Sequence, residues 1–370
     1  MKILIVAPYF YPAYVYGGPI DVEYQTGKAW VEQNQTVTVV STNANGKKDM
    51  ELNNEFPVYV AGMSVYYCKR SCLSAVSWRM LVVLFQQIKK TDIVALHFVY
   101  SFPTIPTIIL CKVFKKELLW RPHGALQRWS GTKKQWLKNI WNEICKILLP
   151  ESTHILFTSM AEWEECKKIF PNSKPLIVPN GVVVPLAEPV KIFSKKIRLL
   201  FLGRIDRIKG LENLLMAIRM IDQEKFTLDI CGDGASSYIN EIKQKIEEYH
   251  ISDRVFMRGE VSRENLAQTF AKADFLVVPS HTENFGQVVV EALAHAVPVI
   301  ASKGSPWEKM EEIGCGLWVE NDPKSLAAAI IKMSKLQILE MGRRGRTWMQ
   351  KDFDWSQNAK KILPVLETRN

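Results

Sequence analysis

The chain has 370 residues, of which 47% are hydrophobic and 23% charged, with 19 glycines and 18 prolines scattered along it. At roughly 150 residues per domain this predicts two domains or one large one, and it excludes a disulfide-stapled miniprotein, a collagen-like repeat and a disordered chain. The formal charge of +10 has one source: residues 70–146 hold 13 Lys/Arg against 3 Asp/Glu and the rest sums to zero, so an acidic partner surface is expected for one half only.

Short apolar runs at residues 3–7, 37–41, 93–98, 118–121, 154–158 and 176–178 read as strands. A second series follows at 197–202, 227–231, 255–258, 275–278 and 298–301. Amphipathic patterns such as 211–221 and 238–249 lie between members, which is the pattern of parallel βαβ units covered on both faces. The fold class expected is α/β. Between the two series the chain is rich in turn formers, with Pro171-Asn172-Ser173-Lys174-Pro175, then Pro179-Asn180-Gly181, then Pro185 and Pro189. This places domains at 1–186 and 187–351, with a helical tail at 352–370 that ends its helix near Pro364. Each half opens with a strand and a glycine-bearing loop, Gly17-Gly18 in the first and Gly203 in the second. Open α/β sheets bind ligands beyond the carboxyl ends of their strands. Two such domains facing an interdomain cleft could hold one large ligand.

The seven cysteines are odd in number and lack a C-x-x-C or a metal-like spacing with His, so a reducing cytoplasm is expected. No basic leader or cleavage site is read near Met1. Residues 93–111 contain no Lys, Arg, Asp or Glu, yet His97, Ser101, Pro103, Thr104, Pro106 and Thr107 interrupt them, which favours a strand, a loop and a packed helix over a membrane span.

The densest chemical cluster runs from Pro279 through Ser280, His281, Thr282, Glu283, Asn284, Phe285, Gly286 and on to Glu291, after a strand and into a helix. Along that path the two carboxylates would lie about 10 Å apart or more, too far to share one proton and suited to gripping two ends of a ligand. Between them, backbone N–H groups at residues 285–287 and the helix dipole favour an anion, and Gly286 lets the backbone come close. Hydroxyl acceptor, phosphate cradle, hydroxyl acceptor is what a nucleotide-linked sugar requires. Arg204 and Lys209 follow the first strand of the second series and could neutralise a diphosphate. Each element also has a plain reading: a capping acid and a solvated acid, a basic turn, a tight turn at Cys231-Gly232-Asp233-Gly234, and a structural histidine at Pro122-His123-Gly124.

With these residues in view, the sequence resembles the retaining glycosyltransferases of family 4, which have the GT-B fold of two Rossmann-like doubly wound domains. Glu283, Phe285, Gly286 and Glu291 match that family's Glu, seven residues, Glu signature. Arg204 and Lys209 match its Gly-Arg and Lys-Gly elements, Gly17 and Gly18 its N-terminal glycine loop, and His123 its N-domain histidine. The resemblance implies catalytic roles for Glu283 and His123. It implies a donor set of Arg204, Lys209, Glu291, Asn284, Phe285, Gly286, Gly17 and Gly18. It also implies a UDP- or GDP-sugar donor, a glycan or polyprenyl-linked acceptor, no cofactor and no metal. Two departures stand out: Ala296 replaces a usual glycine, and Gly304-Ser305-Pro306-Trp307-Glu308 replaces a paired-glycine loop beside the sugar pocket. Asp352-Phe353-Asp354 is an Asp-x-Asp outside the strand-end loops and is not assigned a metal. A sugar-nucleotide epimerase and a non-catalytic glycan-binding descendant are the alternatives.

Residues 112–146 interleave cations with aromatics: Lys112, Lys115, Lys116, Trp120, Arg128, Trp129, Lys133, Lys134, Trp136, Lys138, Trp141 and Lys146. Trp136, Ile140, Ile144 and Leu148 recur every four residues on one helical face. That face is read either as core-facing with solvated lysines or as a basic amphipathic helix on an anionic membrane. No nucleic-acid module accompanies it. Peripheral association with the inner face of the membrane is the favoured expectation.

Overall fold

The computed structural model describes residues 1–367 except 53–55, 73–74, 128–134, 189 and 193. Arg128, Trp129, Lys133, Lys134 and Pro189, named above, lie outside the described residues. The chain divides into two compact units, one of Met1–Gly181 together with the segment from Trp355, the other of Val182–Asp354.

In the first unit β1 (Lys2–Val6), α1 (Gly18–Glu32) and β2 (Thr36–Thr42) are followed by a small hairpin of β3 (Ala44–Asn45) and β4 (Lys48–Asp49). Then come β5 (Val58–Val60), β6 (Met63–Cys68), α2 (Trp78–Lys90), β7 (Ile93–His97), α3 (Thr104–Val113) and β8 (Glu117–Arg121). Helix α4 (Gln135–Leu148), β9 (Thr153–Phe157), α5 (Met160–Cys166) and β10 (Lys174–Ile177) complete the run. The eight-stranded sheet has the order β10-β9-β8-β7-β1-β2-β6-β5 and is parallel except at β5–β6. The inner strands are continuous apolar runs because helices cover both faces; β7 is buried at every position.

The second unit contains β11 (Ile197–Leu202), α6 (Leu211–Met220), β12 (Phe226–Cys231), α7 (Ser236–Glu248), β13 (Val255–Gly259), α8 (Arg263–Lys272) and β14 (Phe275–Val278). It continues with α9 (Gln287–Ala294), β15 (Val299–Ser302), α10 (Lys309–Ile313), β16 (Gly316–Val319), α11 (Pro323–Met333) and α12 (Ile338–Asp352). Its six strands are all parallel, in the order β13-β12-β11-β14-β15-β16. The order reverses direction between β11 and β14, which is where an open α/β sheet leaves a crevice at its carboxyl edge.

Helix α13 (Trp355–Glu367) returns to the first unit, packs on α1 and adds Trp355, Ala359, Ile362 and Leu363 to the core around Trp30. It does not stop at Pro364. The missing proline N–H forfeits one intrahelical bond close to the helix end, where few further bonds depend on it. Residues 93–111 form β7, a loop and most of α3, and no helix of the described residues is long and apolar enough to cross a membrane.

Candidate functional site

Two strand-end clusters of polar and charged side chains stand out among the described residues, one in each unit. In the second unit, β11 and β14 are hydrogen-bonded neighbours, so the loops after them meet although 74 residues separate their key side chains. The loop after β11 passes Gly203 and the exposed Arg204, then makes a short 3-10 turn over Arg207–Lys209 that Asp206 caps by accepting from the Ile208 N–H (3.1 Å). His281 N–H donates to Ile208 O (2.8 Å), fastening the loop after β14 to that turn. Gly210 closes it at φ +63°, where an added Cβ would sit 2.0 Å from Pro279 O, so only glycine allows the approach.

The result is direct contact between Lys209 Nζ and Glu283 Oε1. Glu283 also accepts from Ser280 Oγ (2.7 Å), and its own N–H donates to Gly304 O (2.7 Å). Both partners are mostly shielded, with 22% of the Lys209 and 10% of the Glu283 side chain exposed. Arg207 is committed elsewhere, to Glu241 and Glu212. Arg204 is exposed in the same loop and makes no hydrogen bond or ion pair among the described residues.

Helix α9 starts at Gln287 with Gly286 as its cap at φ +78°. The N–H groups of Phe285 and Gly286 donate to nothing among the described residues, leaving the polar helix start that an anion can use. Glu291 sits one turn further along α9. The Phe285 ring is buried against Trp307 and Phe353, so this residue can offer a ligand only its backbone. Trp307 itself is buried; its indole N–H donates to Phe285 O and clamps the turn before α9. The departure at Gly304-Ser305-Pro306-Trp307 thus anchors the turn before α9 through the core. Cys231-Gly232-Asp233-Gly234 serves backbone packing: Cβ atoms at Gly232 and Gly234 would lie 1.8 Å from Gly203 O and 2.0 Å from Ile205 O. Of the Asp-x-Asp, Asp352 accepts from Trp348 Nε1 (3.0 Å), Phe353 is buried and Asp354 bridges to Val182.

In the first unit, Gly17 caps α1 at φ +85° and Gly18 begins it, with Pro19 in the first turn. His123 follows β8 at φ +54°, an uncommon backbone for a non-glycine residue, and its loop is held by Gly124 N–H donating to Glu162 Oε1 (3.0 Å). His123 Nε2 lies 2.9 Å from His97 Nδ1, and Glu23 Oε1 lies 3.6 Å from the latter and 3.9 Å from the former. Burial holds both imidazoles well below their usual range, with Arg121 adding to the effect. Burial pushes the Glu23 carboxyl well up against a smaller opposing pull from Arg121. The Arg121 guanidinium is itself lowered to about 10 by burial, against the raising influence of Glu162 and Glu23. Sequence reasoning found His123 but neither Glu23, His97 nor Glu162.

Among the described residues, the basic stretch takes in the end of α3, β8 and α4, and α3 packs against both α2 and α4. Trp136, Ile140 and Ile144 are 65%, 50% and 38% exposed, and α4 turns inward on Asn142 and Cys145 instead. Three of the four stripe residues are therefore not core-facing, while Leu148 packs partly buried against the core; Trp141 Nε1 donates to Val99 O (3.0 Å) and Tyr100 OH to Asn142 (3.2 Å), which fixes a different side of the helix against the unit. Trp78, Val82 and Phe85 of α2, with Ile109 and Val113 of α3, extend the exposed apolar surface. Behind α4 lies a cavity of about 340 Å³ whose lining includes Lys138, Lys168, Asn139 and Asn142, with Lys146 paired to Glu143 (2.6 Å) at its edge.

Comparison with known proteins matches residues 186–361 to the family described as Glycosyl transferases group 1 and residues 17–184 to Glycosyltransferase Family 4. The chain belongs to the family 4 glycosyltransferases. A 41.2 kDa protein of the cps region of Klebsiella pneumoniae is 28% identical over 259 residues, 66% of this chain and 70% of that protein. A glycosyltransferase of Methanocaldococcus jannaschii is 23% identical with 98% of each chain covered. For a D-inositol 3-phosphate glycosyltransferase of Xylanimonas cellulosilytica, 28% identical, the match spans 45% of this chain and 41% of the relative. Among solved structures, sucrose-phosphate synthase from Thermosynechococcus elongatus superposes with a TM-score of 0.78 at 20% identity over 99% and 98% of the two chains. Anabaena HepE, solved with UDP and glucose, gives 0.77 at 16% identity over the full length of both chains. These likenesses establish the GT-B fold.

Proposed function

We propose that this glycosyltransferase moves a hexose or related sugar, with retention, from a UDP- or GDP-sugar held by the second unit to a lipid-linked glycan acceptor received by the first. The observation that carries the donor half is the Lys209–Glu283 pair beside Arg204 and the start of α9. Cleavage of the sugar–phosphate bond leaves negative charge on the departing diphosphate, and fixed positive potential aimed at it lowers the barrier. Arg204, Lys209 and the Phe285 and Gly286 N–H groups supply that potential, so the reading assigns the leaving group no divalent ion. Glu283 is the acid at the transferred sugar and Glu291 the acceptor for ribose hydroxyls. The incoming hydroxyl loses its proton to the departing phosphate on the same face, so no side chain acts as an obligatory base. Gly17, Gly18 and His123 belong to the acceptor-bearing unit, with the imidazole assigned to the reacting sugar.

A nucleotide-sugar thermal-shift panel tests the donor half: one sugar nucleotide should raise the melting temperature through binding linkage, and a flat panel removes the assignment.

The acceptor half is supported by the exposed apolar faces of α2, α3 and α4 beside the lysine-lined cavity. A bilayer covers the first, and an anionic head group suits the second. Flotation with phosphatidylglycerol-containing vesicles should carry the protein upward, and Ile140→Asp with Ile144→Asp should leave it at the bottom. Equal flotation of both proteins would remove this face from the reading.

A further inference from the structure

The cluster of Glu23, His97 and His123 contains an imbalance that protons do not cure. The Glu23 side chain is fully buried, and neither carboxylate oxygen has a hydrogen-bond partner among the described residues. A shared proton satisfies one edge of a triangle of acceptors. Here the His97 Nδ1 to His123 Nε2 edge, at 2.9 Å, is the one at hydrogen-bond length, and Glu23 Oε1 lies beyond that length from both nitrogens, at 3.6 and 3.9 Å.

Those three distances meet a different requirement. A point equidistant from the corners of a triangle with sides 2.9, 3.6 and 3.9 Å lies about 2.0 Å from each corner, within the bond lengths of a zinc-type ion to imidazole nitrogen and carboxylate oxygen. We propose that Glu23, His97 and His123 bind one divalent transition-metal ion of zinc type. Two imidazoles and one carboxylate are a donor set such ions favour, and a carboxylate buried without a partner is what binding would satisfy.

The fold explains why no motif spacing announces the site. Glu23 comes from α1, His97 from the last position of β7 and His123 from the turn after β8; β1, β7 and β8 lie side by side, with His97 in register with Arg121. The charges around it are compatible with a cation. Glu162 and Glu23 outnumber Arg121, which donates to Thr26 (3.3 Å), while Glu162 is taken by the Thr158 N–H and hydroxyl and by Gly124. Coordination through Nε2 leaves His123 Nδ1 for another partner. The ion would tie α1 to the ends of two central strands and fix the orientation of the imidazole.

The test reads metal binding and not sugar transfer, so it stands apart from the proposed reaction. Protein stripped with a chelator is titrated with cobalt(II) chloride, followed by its visible ligand-field band, and with zinc chloride by calorimetry. The expected result is one ion per chain, with affinity reduced at least about tenfold in Glu23→Gln and in His97→Asn, and unchanged in the surface control His250→Gln. Should a variant fail to fold, nitrogen-15 histidine spectra of the unaltered chain decide: zinc must shift His97 Nδ1 and His123 Nε2. Shifts confined to His250, His281 or His295, no uptake at micromolar metal, or equal affinity in Glu23→Gln would overturn the site and leave a proton-sharing histidine pair.

Discussion

Replacing Lys209 by Met keeps most of the aliphatic stem and removes the ammonium that rests on Glu283. Two consequences then weaken a bound nucleoside diphosphate together. The first is loss of a charge-assisted hydrogen bond to phosphate, worth about 1.5–3 kcal/mol, or about 10- to 150-fold in Kd. The second follows from the 10% exposure of the Glu283 side chain. Water screens it poorly, so a carboxylate stripped of its cation repels the diphosphate, while the Ser280 bond at 2.7 Å keeps it in place. The same reasoning fixes the sign of a double variant. Lys209→Met with Glu283→Gln removes the repulsion and should recover part of the loss, whereas Glu283→Gln alone should change affinity by less than about threefold and lower turnover at least about tenfold. Isothermal calorimetry at constant ionic strength, with UDP or GDP according to which the wild type binds more tightly, measures all four corners of the cycle. A Kd for Lys209→Met within about threefold of wild type would remove Lys209 from the diphosphate; absence of recovery in the double variant would place Glu283 too far from it to matter.

Three further expectations concern the supports of this cluster. Ala296 holds φ +55° after α9; relieving a left-handed cost of about 1–2 kcal/mol against a glycine entropy cost of about 0.5–1 kcal/mol, Ala296→Gly should raise stability modestly in urea, and a fall would show the turn unstrained. Gly232→Ala drives a methyl to 1.8 Å from Gly203 O, so unfolding free energy should drop by at least about 2 kcal/mol and nucleotide affinity should fall with it; a neutral variant would contradict the backbone contact. Trp307→Phe keeps a ring in the core and strands Phe285 O without its donor, a loss of about 1–3 kcal/mol in denaturant melts. Wild-type stability in that variant would mean the clamp contributes nothing.

Legibility followed the physics of each element. Strands buried on both faces, such as β1 and β7, declare themselves as unbroken apolar runs. By contrast β6 mixes Ser64 and two tyrosines into its apolar positions, and β16 is four residues opening on a glycine, so neither rose above the loops around it. The Glu283, Gly286 and Glu291 cluster was visible because its members share one loop and helix. Contact between Lys209 and Glu283 was not, since it arises from the pairing of β11 with β14 across two intervening strands of sequence. Glu23 carries no local signal in the sequence; only the adjacency of three parallel strands gathers it with two histidines. Trp307 stands in the loop that the family resemblance sets beside the sugar pocket, and nothing in that loop's letters showed that its ring belongs to the core.

The route of the backbone has a consequence for synthesis. Because the first unit needs Trp355, Ala359, Ile362 and Leu363 to complete the packing around Trp30, its amino-terminal portion leaves the ribosome well before its last helix. The unit made second has all its strands and helices in one continuous stretch and can mature first. A nascent chain arrested near residue 350 would therefore expose the apolar groove that α13 fills, a natural handle for chaperones and proteases that survey unfinished molecules.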